Sequence, residues 1–192
     1  MGNWLCMILL ILFLNPLFAK TEEAIFAGGC FWCVQADFNS LQGVLDTTAG
    51  FDGGTSKNPD YASVSAGKTG YAESVRVIFN PDVITYSQLL DFFWRHIDPT
   101  VKDAQFCDHG DQYRSAIFYL NEEQKKLALA SKQKLLNKFS LVATEIVPST
   151  QFYAADSYHQ KYYMNNPLRY KLYRYRCGRD ARLQEVWKNE KM

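Results

Sequence analysis

The order of strand-like and helix-like segments constrains the fold of this chain more than any other feature of its sequence. Apolar residues alternate in the clearest strand, where Val75, Val77 and Phe79 share one face. Helices are predicted where apolar residues recur at helical spacing or where Thr85 and Gln88 form a capping box. In chain order, the predicted strand, helix, strand, strand, helix and strand cover residues 23–27, 30–41, 43–51, 73–79, 85–97 and 114–120.

This β-α-β-β-α-β order is the split βαβ arrangement. We therefore predict an α+β fold, a two-layer sandwich with a ferredoxin-like core in which helices cover one face of a mixed sheet. A further helix, which begins after Asn121 and ends near Lys138, and a strand over 141–147 are appended to this core. From about residue 150 the chain interleaves tyrosines with Arg and Lys, and there we predict an irregular extension packed around the sheet.

Size and charge limit the classes of partner. The chain has 192 residues, of which 47% are hydrophobic, so we expect one catalytic domain over 20–192, acting as a monomer. Its formal net charge is +1 and it contains no long Lys/Arg block. We therefore expect no nucleic-acid partner, although aromatic and basic residues alternate near the C-terminus.

The first nineteen residues contain no charged side chain, and an apolar run extends from Trp4 to Leu14. This pattern predicts a secretory signal peptide cleaved near Ala19, because a spanning helix needs roughly 20 apolar residues. An uncleaved membrane anchor is the alternative. We expect the protein to be exported, into a periplasm, where disulfides persist.

Cys30, Cys33, Cys107 and Cys177 are the cysteines that follow this segment. Cys30 stands after a glycine pair at the predicted start of a helix, where backbone N–H groups and the helix dipole lower the pKa of a thiol. The sequence therefore predicts a reactive thiolate at Cys30, with a buried structural cysteine as the alternative.

Other kinds of cysteine site fit the sequence less well. Structural zinc requires a second close pair of ligands, and Cys107 and Cys177 each stand alone, so we expect no metal. A thioredoxin-like dithiol/disulfide oxidoreductase would explain the Cys-x-x-Cys, but not the two aromatic residues inside it. A cysteine hydrolase that uses Cys30, His159 and Asp156 stays open.

Glu73 lies on the same strand face as Val75, Val77 and Phe79. A carboxyl group on the apolar side loses its hydration, which raises its pKa and makes it a proton donor near neutral pH. The alternative is a carboxylate at the strand end that is turned to water.

Five segments together carry a resemblance to a known family. They are "GGCFWCVQADF", "GYAESVRVIFNP", "IDPTVKDAQFCDHGDQYRSAIF", "SYHQKYY" and "YRYRCGRDARL". In this order they closely resemble the peptide methionine sulfoxide reductases of the A type, from about residue 24 to residue 187. The sequence departs from the commonest family pattern at Cys33, Gln35 and Tyr71, where many relatives have Gly, Glu and His.

The resemblance implies an enzyme that reduces the S epimer of methionine sulfoxide, free or in proteins, without a metal or a bound organic cofactor. Cys30 would be the catalytic cysteine, and Phe31 and Trp32 would form the apolar pocket for the S-methyl group. The resemblance further assigns the sulfoxide oxygen to Glu73, Tyr61 and Tyr113, and an orienting role to Asp108.

The resemblance also implies how the enzyme is recycled. Cys30 becomes a sulfenic acid, which condenses with a second thiol to a disulfide that thioredoxin or a thioredoxin-like reductant opens. Cys177 is our first choice for that thiol, because its position resembles the family's C-terminal resolving cysteine. Cys33, at i+3 on the predicted helix, is its rival, and Cys107 is a third candidate.

Overall fold

The computed structural model describes residues 20–188, so the predicted signal peptide or anchor over 1–19 lies outside the described residues. The strands are β1 (Glu22–Gly28), β2 (Val44–Asp52), β3 (Ala72–Phe79), β4 (Ala104–Gln105), β5 (Asp108–His109), β6 (Ser115–Tyr119), β7 (Glu145–Pro148) and β8 (Tyr153–Ala154). The helices are α1 (Phe31–Asn39), α2 (Tyr61–Ser65), α3 (Tyr86–Arg95), α4 (Glu122–Leu135), α5 (Tyr162–Asn165), α6 (Pro167–Arg176) and α7 (Arg179–Trp187). Among the described helices, none has the length and apolar character needed to cross a membrane.

The main sheet has the strand order β7-β6-β1-β3-β2-β8. Strand β1 pairs antiparallel with both β3 and β6, and β2 pairs antiparallel with β3. These four strands with α1 and α3 form the predicted split βαβ core. Because β7 pairs parallel with β6, the sheet is mixed, and the predicted α+β fold is confirmed.

The helices pack on one face of the sheet, as predicted. Phe26 of β1 stacks on Phe38 of α1, with 4.9 Å between ring centroids, and on Phe93 of α3, at 5.0 Å. The predicted capping box at the start of α3 is present, because the Thr85 hydroxyl accepts from the Gln88 backbone N–H and the Gln88 side chain returns to Thr85. These contacts hold α1 against the end of β1, where the catalytic cysteine is predicted.

A sharp turn joins β1 to α1. Gly29 has a φ of +83°, in the left-handed region, and a Cβ atom on it would lie 2.6 Å from the Cβ of Gln105. Only glycine combines this backbone conformation with so close an approach. The turn therefore brings Cys30 next to the hairpin of β4 and β5, which lies in the second of the long loops.

The segment after residue 150 is not irregular, contrary to the prediction. It adds β8 to the edge of the sheet and then forms α5, α6 and α7. Pro167 occupies the first turn of α6, and Gly178, with a φ of +68°, separates α6 from α7. Alternating tyrosines and basic residues give these helices no clear apolar stripe, which is why hydrophobic periodicity did not predict them.

Candidate active site

A cavity of about 80 Å³ lies where β1 ends and α1 begins. It is lined by Cys30, Phe31, Trp32, Tyr61, Glu73, Asp108, Tyr113 and Tyr173. The structure thus brings together every residue that the sequence assigned to catalysis or substrate binding. Tyr173 is the additional lining residue.

Cys30 is the residue immediately before α1, and its backbone carbonyl accepts a hydrogen bond from the N–H of Cys33, at 3.0 Å. Its side chain is buried, and burial raises the pKa of the Cys30 thiol. The expectation of a lowered pKa at the helix start is therefore wrong for this site, because loss of hydration outweighs the helix dipole. The thiol needs a proton acceptor before it can act as a nucleophile.

Cys33 lies one turn further along α1, and its side chain is hydrogen bonded to the Cys30 thiol. Both cysteines are free and buried. The hydrogen bond from Cys30 and the positive charges of Arg179 and Arg174 lower the pKa of the Cys33 thiol. The two sulfur atoms therefore form one buried dithiol.

Glu73 points into the same cavity, as the strand alternation predicted. Its side chain is 2% exposed, and its Oε2 accepts a hydrogen bond from the backbone N–H of Phe31 at 2.9 Å. Burial raises the pKa of Glu73 to about 8. At neutral pH the carboxyl group is therefore mostly protonated and can donate its proton.

Two tyrosine hydroxyls come from the long loops. Tyr61 begins α2, and Tyr113 ends a short 3-10 turn over Asp111–Tyr113. Burial raises the pKa of Tyr61 to about 12 and also raises the pKa of Tyr113. Both groups therefore stay protonated and can donate hydrogen bonds to an oxygen atom in the cavity.

Trp32 forms an aromatic wall that the C-terminal segment holds in place. Its ring stacks on Tyr162 with 3.8 Å between centroids, and its Nε1–H donates to Nδ1 of His159 at 3.2 Å. Burial lowers the pKa of His159, which keeps this nitrogen neutral and able to accept. Because His159 is paired with Trp32 and does not line the cavity, the hydrolase alternative loses its support.

Tyr173 is the site residue that the sequence did not indicate. Its hydroxyl donates to Oδ2 of Asp108 at 2.6 Å, and burial and the nearby Cys30 thiol raise the pKa of Tyr173. Its ring meets Trp32 edge to face, at 5.9 Å. One weak signal is present in the sequence, since Tyr173 stands four residues before Cys177 and shares a helix face with it.

Cys177 and Cys107 form a disulfide outside this cavity. The Cys107 side chain is exposed, and the disulfide borders an open groove of about 390 Å³. The groove is lined by Cys107, Arg169, Leu172, Tyr173, Arg176 and Cys177. Tyr173 lines both the groove and the inner cavity, so it lies between the disulfide and Cys30.

Comparison with known proteins identifies the relatives of this chain. The family model for peptide methionine sulfoxide reductase matches residues 22–191. The chain is 44% identical to Peptide methionine sulfoxide reductase MsrA of Bacillus licheniformis, over 88% of this chain and 94% of that protein. It is 45% identical to Peptide methionine sulfoxide reductase MsrA/MsrB of Vibrio cholerae, again over 88% of this chain, but it spans only 46% of that longer protein.

Solved structures also superpose on this chain. Reduced Mxr1 from Saccharomyces cerevisiae superposes with a TM-score of 0.74 and 34% identity, over 80% of this chain and 88% of that chain. Mxr1 in complex with Trx2 gives a TM-score of 0.54 and 27% identity, over 77% of this chain and 87% of that one. The chain therefore belongs to the peptide methionine sulfoxide reductase family.

Proposed function

We propose that this protein reduces the S epimer of methionine sulfoxide, free and in proteins, with Cys30 as the nucleophile. One observation carries the proposal: the Cys30 thiol and the carboxyl group of Glu73 line the same small cavity, and burial raises the pKa of Glu73 to about 8. Sulfoxide reduction needs this combination, a nucleophile for sulfur and an acid for oxygen. The protein's membership of the family supports the same reaction.

The remaining lining residues fit the substrate. The S-methyl group lies against Phe31 and Trp32, and the hydroxyls of Tyr61 and Tyr113 hold the sulfoxide oxygen. The Cys30 thiolate attacks the sulfoxide sulfur while the oxygen takes the proton of Glu73. Methionine leaves, the protonated oxygen stays on Cys30 as a sulfenic acid, and Glu73 is left as a carboxylate.

Two disulfides then form in sequence. The Cys33 thiol attacks the sulfenic acid of Cys30, which releases water and closes a Cys30–Cys33 bond. The reduced thiols of Cys107 and Cys177 open this bond by exchange and become the outer disulfide. The contact between Cys30 and Cys33 favours Cys33 as the first partner, which reverses the preference for Cys177 drawn from the sequence.

The outer disulfide is accessible to an external reductant. Its Cys107 side chain is exposed beside the open groove, whereas Cys30 and Cys33 are buried. We assign the electrons to thioredoxin or a thioredoxin-like dithiol, and the solved complex of Mxr1 with Trx2 supports this class of partner. One chain supplies every residue that lines the cavity, which supports a monomer as the active form.

A single-turnover assay tests the reaction. The fully reduced enzyme is mixed with each epimer of methionine sulfoxide, and methionine and free thiols are counted before and after. We expect the S epimer to yield one methionine for every two thiols lost, and the R epimer to yield none. A general disulfide oxidoreductase would act on disulfides and leave both sulfoxides unchanged, and that result would refute the proposal.

A time course maps the order of the disulfides. One equivalent of substrate is added without reductant, and the bonds are identified by mass spectrometry. We expect a Cys30–Cys33 bond first and the Cys107–Cys177 bond later. In Cys33→Ser the early bond is absent. Exchange passes through a mixed disulfide, so a Cys30–Cys177 bond after the Cys30–Cys33 bond is expected, whereas a Cys30–Cys177 bond that forms before any Cys30–Cys33 bond would overturn the proposed order.

We also propose export to the periplasm. The uncharged, apolar N-terminal sequence supports a cleaved signal peptide. N-terminal sequencing of exported protein is expected to begin close to Lys20, and recovery of intact Met1 in membranes would favour the anchor.

A further inference from the structure

The mechanism proposed above leaves one proton unassigned, that of the Cys30 thiol. Burial raises the pKa of this thiol, so the thiol is protonated at neutral pH, while the thiolate is the nucleophile. Glu73 cannot accept the proton, because its carboxyl group has to arrive protonated to serve the sulfoxide oxygen. The site therefore needs a second acid–base group.

Neighbouring polar groups lead from Cys30 across the cavity to such a group. Cys30 and Tyr173 line the same small cavity, and the Tyr173 hydroxyl donates a hydrogen bond to Oδ2 of Asp108 at 2.6 Å. Asp108 is partly buried and lines the same cavity. Thiol, hydroxyl and carboxylate thus stand in the order that a proton transfer requires.

We propose that Tyr173 is a catalytic residue that passes the proton of Cys30 to Asp108, an inference that rests on the proposed function. The S–H bond of Cys30 breaks as its proton moves to the Tyr173 oxygen, and the O–H proton of Tyr173 moves to Oδ2 of Asp108. Cys30 becomes a thiolate, Tyr173 stays neutral and Asp108 becomes neutral. The step conserves charge and requires no oxidant or reductant.

The surroundings of Asp108 suit a proton acceptor. Burial raises the pKa of its carboxyl group, which makes the carboxylate a stronger base than an exposed aspartate. The hydrogen bond from Tyr173 and the positive charge of Arg179 act in the opposite direction and favour the carboxylate form. Asp108 therefore has a higher proton affinity than an exposed aspartate and lies within hydrogen-bond distance of the Tyr173 hydroxyl.

Other titratable groups also face Cys30. Those near Cys30 are Cys33, Glu73, Tyr61 and Tyr113. Cys33 is the only one of them that can compete as acceptor, because Glu73 and both tyrosines are protonated at neutral pH. An experiment on Tyr173 has to separate its effect from that of Cys33.

The position of Tyr173 is fixed from several sides. Its ring meets Trp32 edge to face, and its backbone carbonyl accepts from the N–H of Cys177 at 2.9 Å. Tyr173→Phe keeps the ring and these contacts but removes the hydroxyl. Asp108→Asn keeps the size of the side chain but cannot be protonated at neutral pH.

The experiment measures the rate at which iodoacetamide alkylates Cys30, as a function of pH. It uses the chain with Cys33→Ser and an intact Cys107–Cys177 disulfide, so that Cys30 is the free thiol among the described residues. We expect Tyr173→Phe and Asp108→Asn each to move the alkylation midpoint to higher pH. Each is also expected to slow single-turnover sulfoxide reduction by about 10²-fold, the scale of a positioned acid–base group.

When two groups act in series in one proton transfer, the rate losses caused by removing each of them do not multiply. We expect the double variant Tyr173→Phe with Asp108→Asn to be no slower than the slower single variant. Multiplied losses would overturn the proposal. Tyr175→Phe is the matched control, because Tyr175 lies on the same helix, is 83% exposed and does not line the cavity.

The remaining outcomes are separable. An unchanged alkylation profile in Tyr173→Phe would refute the proton path. If Cys33→Ser moved the midpoint relative to the unaltered protein, and Tyr173→Phe caused no further change, Cys33 would be the acceptor. If the unaltered protein failed to reduce sulfoxide while Tyr173→Phe still moved the alkylation midpoint, the proposed function would fail and the proton path would stand.

Discussion

The two cysteine pairs of this protein differ in nearly every physical property. Cys30 and Cys33 are 7% and 2% exposed, are separated by one helical turn and remain as free thiols. Cys107 and Cys177 are separated by 70 residues, are joined as a disulfide and border an open groove. Burial suits the inner pair to chemistry that excludes water, and exposure suits the outer pair to contact with a large partner.

The difference suggests a division of labour within one small domain. A sulfenic acid at a buried position has a thiol in contact and little access to solvent oxidants, which limits its further oxidation. The outer disulfide forms where a reductant can reach it. Tyr173 lines both cavities, and Asp108 of the inner cavity lies 3.7 Å from the Cys107 sulfur, so the two regions are in contact.

The first prediction removes the nucleophile of the inner pair. Cys30→Ser should abolish sulfoxide reduction, because a hydroxyl is a far weaker nucleophile than a thiolate toward sulfur. The measurement is single-turnover formation of methionine from the S epimer. Because the outer disulfide forms by exchange with the inner one, the reduced variant should also keep the Cys107 and Cys177 thiols when substrate is added. Residual turnover above background would refute the role of Cys30.

The second prediction breaks the link between the pairs. Cys177→Ser should complete one sulfoxide reduction at the normal rate and then stall with thioredoxin, because the remaining Cys30–Cys33 bond is buried. The measurement compares single-turnover and steady-state rates, with mass spectrometry of the stalled enzyme. Unimpaired turnover with thioredoxin would mean that the reductant opens the inner bond directly.

The third prediction concerns the acid of the inner site. Glu73→Gln keeps the hydrogen bond from Phe31 but has no proton to transfer, so single-turnover reduction should fall by about 10²-fold. Because the pKa of Glu73 is about 8, the rate in the unaltered protein should decrease as pH rises through that value. A pH-independent rate, or an unchanged rate in Glu73→Gln, would contradict the assignment.

The same pKa has a consequence for stability. The pKa of Glu73 is higher in the folded protein, about 8, than its usual 4.5, so unfolding releases a proton between these two values. The free energy of unfolding should therefore decrease as pH rises through this window. Denaturant unfolding across the window should show this decrease in the unaltered protein and a smaller decrease in Glu73→Gln.

The sequence predicted the inner region better than the outer one, for physical reasons. Glu73 was placed on the apolar side because strand periodicity fixes the direction of a side chain within a single segment. The Cys107–Cys177 bond joins two segments 70 residues apart, and no local pattern encodes such a pairing. The high pKa of Cys30 was missed because it depends on burial by distant elements, whereas the helix start is a local feature.

The C-terminal helices were missed for a related reason. Arg174 and Arg179 hold them to α1 through Asp37, at 2.7 Å and 3.3 Å. Arg179 is 2% exposed and also donates to the carbonyl oxygen of Gly28. Buried ion pairs of this kind leave no hydrophobic period in the sequence, so the elements that carry Tyr173 and Cys177 could not be predicted from it.

The last and smallest predicted effect concerns the surroundings of the outer disulfide. Arg176 is exposed at the groove, which Leu172, half exposed, also lines. A positive charge beside a disulfide favours the approach of an attacking thiolate and of a partner with acidic residues. Arg176→Glu should therefore lower kcat/KM for thioredoxin roughly fivefold, equivalent to about 1 kcal/mol, the upper range for an exposed charge pair.

Only the outer region should respond to Arg176→Glu. Arg176 does not line the inner cavity, so single-turnover sulfoxide reduction should be unchanged in Arg176→Glu. Lys126→Glu on α4 makes the same change of charge at an exposed position away from the groove, and should leave kcat/KM for thioredoxin unchanged. Added salt should narrow the difference between Arg176→Glu and the unaltered protein, because ions screen exposed charges. An equal loss in Lys126→Glu would assign the effect to the net charge of the protein and remove the groove from the account of recycling.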